Sequence, residues 1–419
     1  MSFPETPPAV AGAECPPAPA HAPAGGARDS RRAWLAAVGA TLAASVVYGL
    51  AYSYGQFFGP MTQAFRAGDG AASVVFSITT LLGFGLSAVT GPVADRTGPR
   101  AMLLVGAVCL GLGLHLTAIS DALWQAYLAY GLGIGLGVGC VYVPVLTATG
   151  RWFDRYRAVA TGSVVTGVGI GTVVSSPLSA WMVSHFGWRH AYEYYAVGGA
   201  ALLLLAAALV GRPPQAPDFP IAAQRPPARG FRTLYVASLL VCMANYVPFA
   251  HLVPSAQRLG IGALAAAALI SAIGISSIAG RLVITALADR FGSLALFKAC
   301  HAGVGLGLVV WTTARGYGGL LAFAIIHGAM YGGYSALLPV VLADQFGLAR
   351  LGRLLGLLFT ALGAGSALGP ALVGYLVQST GGYGTALTAL TVLGLLGTGI
   401  VMSYRERSTR DLRRDTVGR

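Results

Sequence analysis

The stretch GPVADRTGPR (residues 91–100) decides the fold of this chain. It packs Asp95, Arg96 and Arg100 into a short break between two apolar runs, near 73–94 and 101–119, that hold no Lys, Arg, Asp or Glu. A degenerate copy, ALADRFGS (286–293), closes another apolar run, and Asp289 follows Asp95 by 194 positions. At that same shift Gly162, Gly169 and Gly171 meet Gly356, Gly363 and Gly365. One offset that serves two separate pairs of segments is the mark of a duplicated chain.

Working outward from the loop, 55% of the 419 residues are apolar and only 10% are charged, with a mean hydropathy of +0.69. Soluble domains carry roughly 25% charged residues, so a water-soluble globular protein is excluded. A membrane-spanning helix needs about 20 apolar residues. Apolar runs between breaks of charge, Pro and Gly predict twelve spans, near 33–58, 73–94, 101–119, 124–149, 157–182, 190–211, 232–257, 263–288, 294–314, 319–343, 353–378 and 383–404. The Pro- and Arg-rich break 212–231 divides them six and six. The expected architecture is an all-α integral membrane protein, with twelve transmembrane helices in two pseudo-symmetric six-helix bundles, 33–211 and 232–404. Two such halves around a midplane site are the plan of a secondary transporter.

The net charge of +13 does not imply a nucleic-acid partner, because its placement follows the membrane. With the N terminus inside, Arg66, Arg189, Arg258 and Arg315 fall in outer loops and Arg281 falls within a span, while all other Lys and Arg lie on the cytoplasmic side. That asymmetry predicts cytoplasmic termini. Residues 1–32, rich in Pro, Ala and Gly, read as a disordered tail leading into a retained anchor, and 405–419 as a basic cytoplasmic tail. The five Cys form no CxxC, so neither a disulfide framework nor a metal site is expected.

The 91–100 loop fits G-x-x-x-D-R-x-G-x-R at every fixed position and so resembles the major facilitator superfamily. More narrowly, VYGLAYSYGQFFGPM (47–61), RWFDRYRAVATGSVVTGVGIG (151–171), YVPFAHLVPSAQRLGI (246–261) and GRLVITALADRFG (280–292) resemble the monocarboxylate transporter family and its bacterial relatives, which are related to oxalate/formate exchangers. The resemblance covers about 33–404. It implies a secondary active transporter of lactate- or pyruvate-like monocarboxylates, proton-coupled, working by alternating access as a monomer in a bacterial inner (plasma) membrane without a cofactor. An organic-anion exchanger of the oxalate/formate type is the alternative, and a drug exporter of the same fold ranks below it.

Arg281 is the informative residue. A guanidinium keeps its proton, and placing one mid-span costs about 2.5–3.5 kcal/mol on the insertion scale. Its own span has no Asp or Glu before Asp289, while Gly274, Ser277, Thr285 and Ala288 share its helical face. Small and polar neighbours predict a cavity wall, where a planar two-pronged donor suits a carboxylate. The resemblance likewise implies a substrate-binding arginine in this helix. No other Lys or Arg lies deep in a span, so a monoanion fits better than a dianion. The oxalate exchangers use a second cation in span eleven, and none occurs from Leu354 to Gln378.

His251, flanked by Pro248 and Pro254, is the candidate for a second substrate contact and for proton coupling. Tyr142 and Tyr331 follow Gly-rich helix and are candidate substrate contacts, with Tyr48, Tyr52 and Tyr334 behind them; Ser277 joins the set. Asp95, Arg96, Arg100, Asp289 and Arg290, at cytoplasmic helix ends, read as a cytoplasmic gate. Family members that couple to protons commonly carry an Asp one turn before the span-eight Arg and a Lys in span one. Ser277 occupies that turn here, and 33–58 has no Lys. No HExxH, GxSxG or paired mid-span Asp is visible, so an enzyme is not expected.

Overall fold

A computed structural model describes residues 28–213, 228–347 and 351–404. The expected tails at 1–27 and 405–419, and linker residues 214–227, lie outside the described residues. Ten helices are long and apolar enough to cross a bilayer, and a pair bent by 55°, which starts at Asp69 and ends at Thr97, makes an eleventh. One of the ten, Arg157–Leu209, has 53 residues. A straight helix of that length would be about 80 Å long, far more than the roughly 30 Å of a bilayer core.

It is two spans. Gly187 takes φ 79°, ψ 161°, which L side chains avoid. The Oγ of Ser179 lies 2.8 Å from the Tyr195 hydroxyl, although the two are 16 residues apart and about 24 Å would separate them along one helix. The chain therefore turns back at Gly187, and the described residues make twelve passes. In order, spans one to four are Arg31–Ala64, 69–97, Pro99–Ala118 and Leu123–Trp152. Spans five and six are 157–186 and 188–209. Spans seven to twelve are Ala228–Arg258, Ala263–Phe291, Ser293–Thr313, Tyr317–Phe346, Leu351–Thr380 and Tyr383–Ser403.

Most helices run a few residues beyond the expected bounds. Span one starts at Arg31 because Ser30 caps it, its side chain accepting from the Ala33 N–H. Arg28 pairs with Asp154 at 3.0 Å and the Asp29 carboxylate accepts from the Arg155 N–H. The last residues of the expected disordered tail are thus docked on the loop before span five. Span seven starts at Ala228, inside the expected linker.

The duplication is written in the backbone. Positive φ angles recur 194 positions apart, at Gly98 (89°) and Gly292 (84°) and at Gly187 (79°) and Gly381 (75°). The repeated glycines also make equivalent contacts. A Cβ on Gly171 would lie 2.0 Å from the Ser45 carbonyl of span one, and one on Gly365 would lie 2.3 Å from the Leu239 carbonyl of span seven. Gly169 faces the Gly274 carbonyl of span eight, as Gly363 faces the Leu81 carbonyl of span two. Spans five and eleven therefore each pack closely on their own bundle and then cross to the other. Gly162 and Gly356 have nothing within 4 Å, and both line the central cavity.

These contacts set a graded expectation. Overpacking a tight crossing costs roughly 1–3 kcal/mol or more, so Gly171→Ala should lower the thermal midpoint of the purified protein by several degrees. Gly162→Ala, open to the cavity, should leave it unchanged; fluorescence-detected unfolding of the two variants checks this.

Candidate functional site

Between the bundles lies a cavity of about 1330 Å³. Its floor is built from Tyr48, Tyr52, Tyr142, Tyr246, Arg281 and Tyr331, and its walls run down to Asp95, Asp289 and Arg353. It is open at the end that carries the cluster of basic loop residues and closed at the other.

Arg281 lies in the cavity wall with 7% of its surface exposed. Its Nη1 donates to the Val165 carbonyl of span five at 2.8 Å, so the side chain reaches across the bundle interface. Its Nε and Nη2 both donate to the Ser335 hydroxyl of span ten, at 3.3 and 3.2 Å. The Ser335 hydroxyl itself donates to the Gly332 carbonyl, which leaves its lone pairs for the guanidinium. No carboxylate pairs with Arg281 among the described residues. A guanidinium has five N–H groups, and three are engaged, so each terminal nitrogen keeps one for a ligand.

Tyrosines surround this cation. Tyr48 packs edge-on against Tyr142, with ring centroids 4.9 Å apart. Tyr52 stacks on Phe249 at 3.9 Å, and its hydroxyl lies 3.1 Å from that of Tyr331. That hydroxyl pair joins span one to span ten at the cavity floor. Tyr142 and Tyr331 are therefore brought together with Arg281 as expected from the sequence. Ser277 is not. Its hydroxyl donates to the Gly274 carbonyl, and its own carbonyl is the close neighbour of Gly332, so it serves the packing of span eight on span ten.

His251 also lies outside the cavity, in the closed half. Its Nε2 lies 2.9 Å from the Pro370 carbonyl, which can only accept, so this nitrogen carries the hydrogen. The Ser73 hydroxyl is 3.1 Å from the same nitrogen, and the Tyr383 hydroxyl donates to Nδ1 at 3.1 Å. Span seven thereby ties span two to span eleven. The other half is bridged at nearly the same place with other chemistry, one position before the repeat of His251: Gln56 of span one donates to Ser176 of span five, which donates to the Ala267 carbonyl of span eight. Ser73 and Ala267, and Ser176 and Pro370, are each 194 positions apart. Beyond His251, Arg258 pairs with Asp69, donates to the Gly381 carbonyl and lies over the Tyr383 ring.

The expected gate at the opposite end stands open. Asp95 pairs with Arg151 at 2.8 Å inside one bundle, and the carbonyl of Arg96 accepts from Arg212. Asp289 lines the cavity mouth, and Arg290 lies over the Phe291 ring. None of the five gate candidates, Arg100 included, bridges the bundles among the described residues, because this conformation separates them there. Sequence reading missed Ser335 and the Val165 carbonyl, for which no signal exists short of knowing which helices Arg281 faces. Tyr246 sat inside a quoted motif and was passed over.

Comparison with known proteins agrees with this architecture. The family model described as Major Facilitator Superfamily matches residues 34–318. Monocarboxylate transporter 11 of Homo sapiens is 30% identical over 387 residues, covering 88% of this chain and 80% of its own. Monocarboxylate transporter 13 of Bos taurus is 28% identical over 385 residues, covering 90% of each. Among solved structures, a POT family transporter in complex with 5-aminolevulinic acid aligns with a TM-score of 0.72 at 14% identity, over 88% of this chain and 94% of that one. A bacterial homolog of the human lysosomal transporter Spinster, in an inward-facing and unoccupied conformation, gives 0.69 at 13% identity, over 88% and 96%. The protein is a multi-pass membrane transporter and not an enzyme: the chain belongs to the Major Facilitator Superfamily and, within it, to the monocarboxylate transporter family.

Proposed function

We propose that this transporter carries small monocarboxylate anions of the lactate and pyruvate type by alternating access, together with a proton, with both termini in the cytoplasm. The observation that carries the reading is Arg281. It is a permanent cation at the cavity floor, held by a carbonyl and a hydroxyl and by no acid, with one N–H on each terminal nitrogen left over. A single carboxylate matches that pair of donors and that one charge. A dianion would bring a second negative charge to a wall whose other polar groups near Arg281 are uncharged hydroxyls of Tyr, Ser and Thr. The names of the monocarboxylate transporter relatives support the same class. Cytoplasmic termini are supported by the crowding of Arg and Lys at the open end of the cavity, which makes the conformation inward-open.

In this reading the substrate docks with its carboxylate on Arg281 and its short side chain among Tyr48, Tyr142 and Tyr331. Closing the cytoplasmic half around it brings Asp95 and Asp289 toward the opposite bundle, while the outer half parts at the Tyr52–Tyr331 pair, the His251 and Gln56 bridges and the Asp69–Arg258 pair. Ser335, by fixing the plane of the guanidinium, keeps the remaining N–H groups turned to the cavity.

Uptake of a panel of radiolabelled acids by cells expressing the protein tests the site. Charge-assisted hydrogen bonds are worth about 1.5–3 kcal/mol each, so Arg281→Ala should lose uptake by roughly a hundredfold. Arg281→Lys, which supplies a point charge without the fork, should stay well below wild type. Undiminished uptake in Arg281→Ala removes the role of this residue. The gate makes a second prediction. A partly exposed ion pair contributes up to about 1 kcal/mol, so Asp69→Asn should raise outside labelling of a cysteine placed at Ser73 by up to roughly fivefold, measured against the same cysteine with Asp69 intact.

A further inference from the structure

Buried polar atoms without a partner are unevenly distributed. Among the described residues seven such side-chain atoms occur, and six of them lie in the second bundle: Ser238 Oγ, Asn245 Nδ2 and Oδ1, His301 Nε2, and both ring nitrogens of His327. All four residues are fully buried. Native interiors pair such groups with protein or with bound water, so a cluster on facing helices marks a place built to hold something polar.

Within this set His327 of span ten and Asn245 of span seven lie side by side. Of the three fully buried histidines, His251 has both nitrogens engaged and His301 has its Nδ1 on the Phe297 carbonyl. His327 has neither engaged. Its ring approaches the Asn245 main chain of span seven without closing a regular hydrogen bond. One turn further along span ten is Tyr331, whose ring is parallel to that of His327 with centroids 6.3 Å apart. Tyr331 in turn lines the cavity and bonds Tyr52 across the bundles. His327 therefore stands one side chain behind the substrate cavity.

We propose that His327, with Asn245 beside it, is the proton-binding site of this carrier, bridged to the cavity by water at the Tyr331 hydroxyl. The proposal rests on the proton-coupled monocarboxylate reading. A neutral imidazole offers one donor and one acceptor, and the Asn245 amide offers both kinds. The proton enters from cavity water and binds the accepting ring nitrogen, and the new N–H finds the Asn245 Oδ1 or a water as acceptor. The nearest titratable group is Tyr331 on its own span; Tyr246 of span seven packs on Tyr331, and two turns along span ten Tyr334 packs on His301 of span nine. Span eight supplies Arg281, two turns away at Ser335. Span eleven carries Arg353, at the far end of the cavity wall, and Tyr375, which is turned to Gly70 of span two.

The charge count favours such a site. The empty carrier holds one positive charge at Arg281. A carboxylate alone brings the pair to zero, and a carboxylate with a proton on His327 restores one positive charge. Empty and fully loaded carriers then move the same charge across the membrane, which makes the symport electroneutral.

Proteoliposomes holding the purified protein and an entrapped pH dye test this with labelled lactate. The expected result is that His327→Gln keeps exchange of labelled for unlabelled lactate within about twofold of wild type while lactate-driven acidification falls about tenfold or more. Acidification at the wild-type rate with the wild-type pH dependence overturns the proposal. Should His327→Gln lose exchange as well, Asn245→Ala decides, since its imidazole is intact. A shift of about half a pH unit or more in the midpoint of uptake supports the site, and an unmoved midpoint overturns it. Wild-type exchange without acidification overturns the proton site and leaves monocarboxylate transport standing. A wild type that moves no acid of the panel removes the substrate reading, and the proton site with it.

Discussion

A guanidinium that cannot shed its proton, placed where lipid surrounds the protein on every side, is the constraint on which the rest of this structure turns. Arg281 can be tolerated only if its hydrogen bonds are met and its charge has somewhere to go. The protein meets the first need with one carbonyl and one hydroxyl, drawn from two other helices in two different bundles. It leaves the second need open toward a cavity, with no acid among the described residues to answer it. Most of the other features follow: small residues on the face of span eight, a Gly-on-Gly crossing with span five that brings the Val165 carbonyl within reach, and tyrosines in place of further charge.

The frame around that residue was legible in the sequence because its signals are coarse and repeated. Twelve apolar runs, a charged loop that recurs at a fixed offset and a one-sided distribution of Arg are averages over many residues, and averages survive the loss of any one detail. The repeated glycines turned out to be more than a trace of ancestry. Gly171 and Gly365 sit at the same crossing in each half, where a Cβ would collide with a carbonyl. The 53-residue helix was legible in the same way, since the sequence separates it into runs near 157–182 and 190–211 and the turn at Gly187 falls between them.

The site was legible only in part, for a physical reason. Arg281 announced itself because a charge in a span is costly wherever it faces. A histidine or a serine costs much less, so its position in a helix says little about which way it points. His251 carried the stronger motif, between two prolines, and proved to be a fully bonded bridge in the closed half. His327 had no motif, and only the packing of spans seven and ten reveals that its nitrogens lack partners. Ser277 shares a helical face with Arg281, yet four residues of climb carry it from the cavity into a helix contact.

The closed half has one further consequence. Its two long edges stand on matching backbone positions, but they are fastened differently. Where span two meets span eleven there are an imidazole bridge, a glutamine capping the Gly70 N–H and an ion pair reinforced by an aromatic ring. Where span five meets span eight there are neutral amide and hydroxyl contacts and bare glycine. A symmetric doorway fitted with a bolt on one jamb and a smooth bearing on the other does not swing evenly. The free energy of opening this half is concentrated on the bolted jamb, and the bearing side is free to roll while it stays in touch.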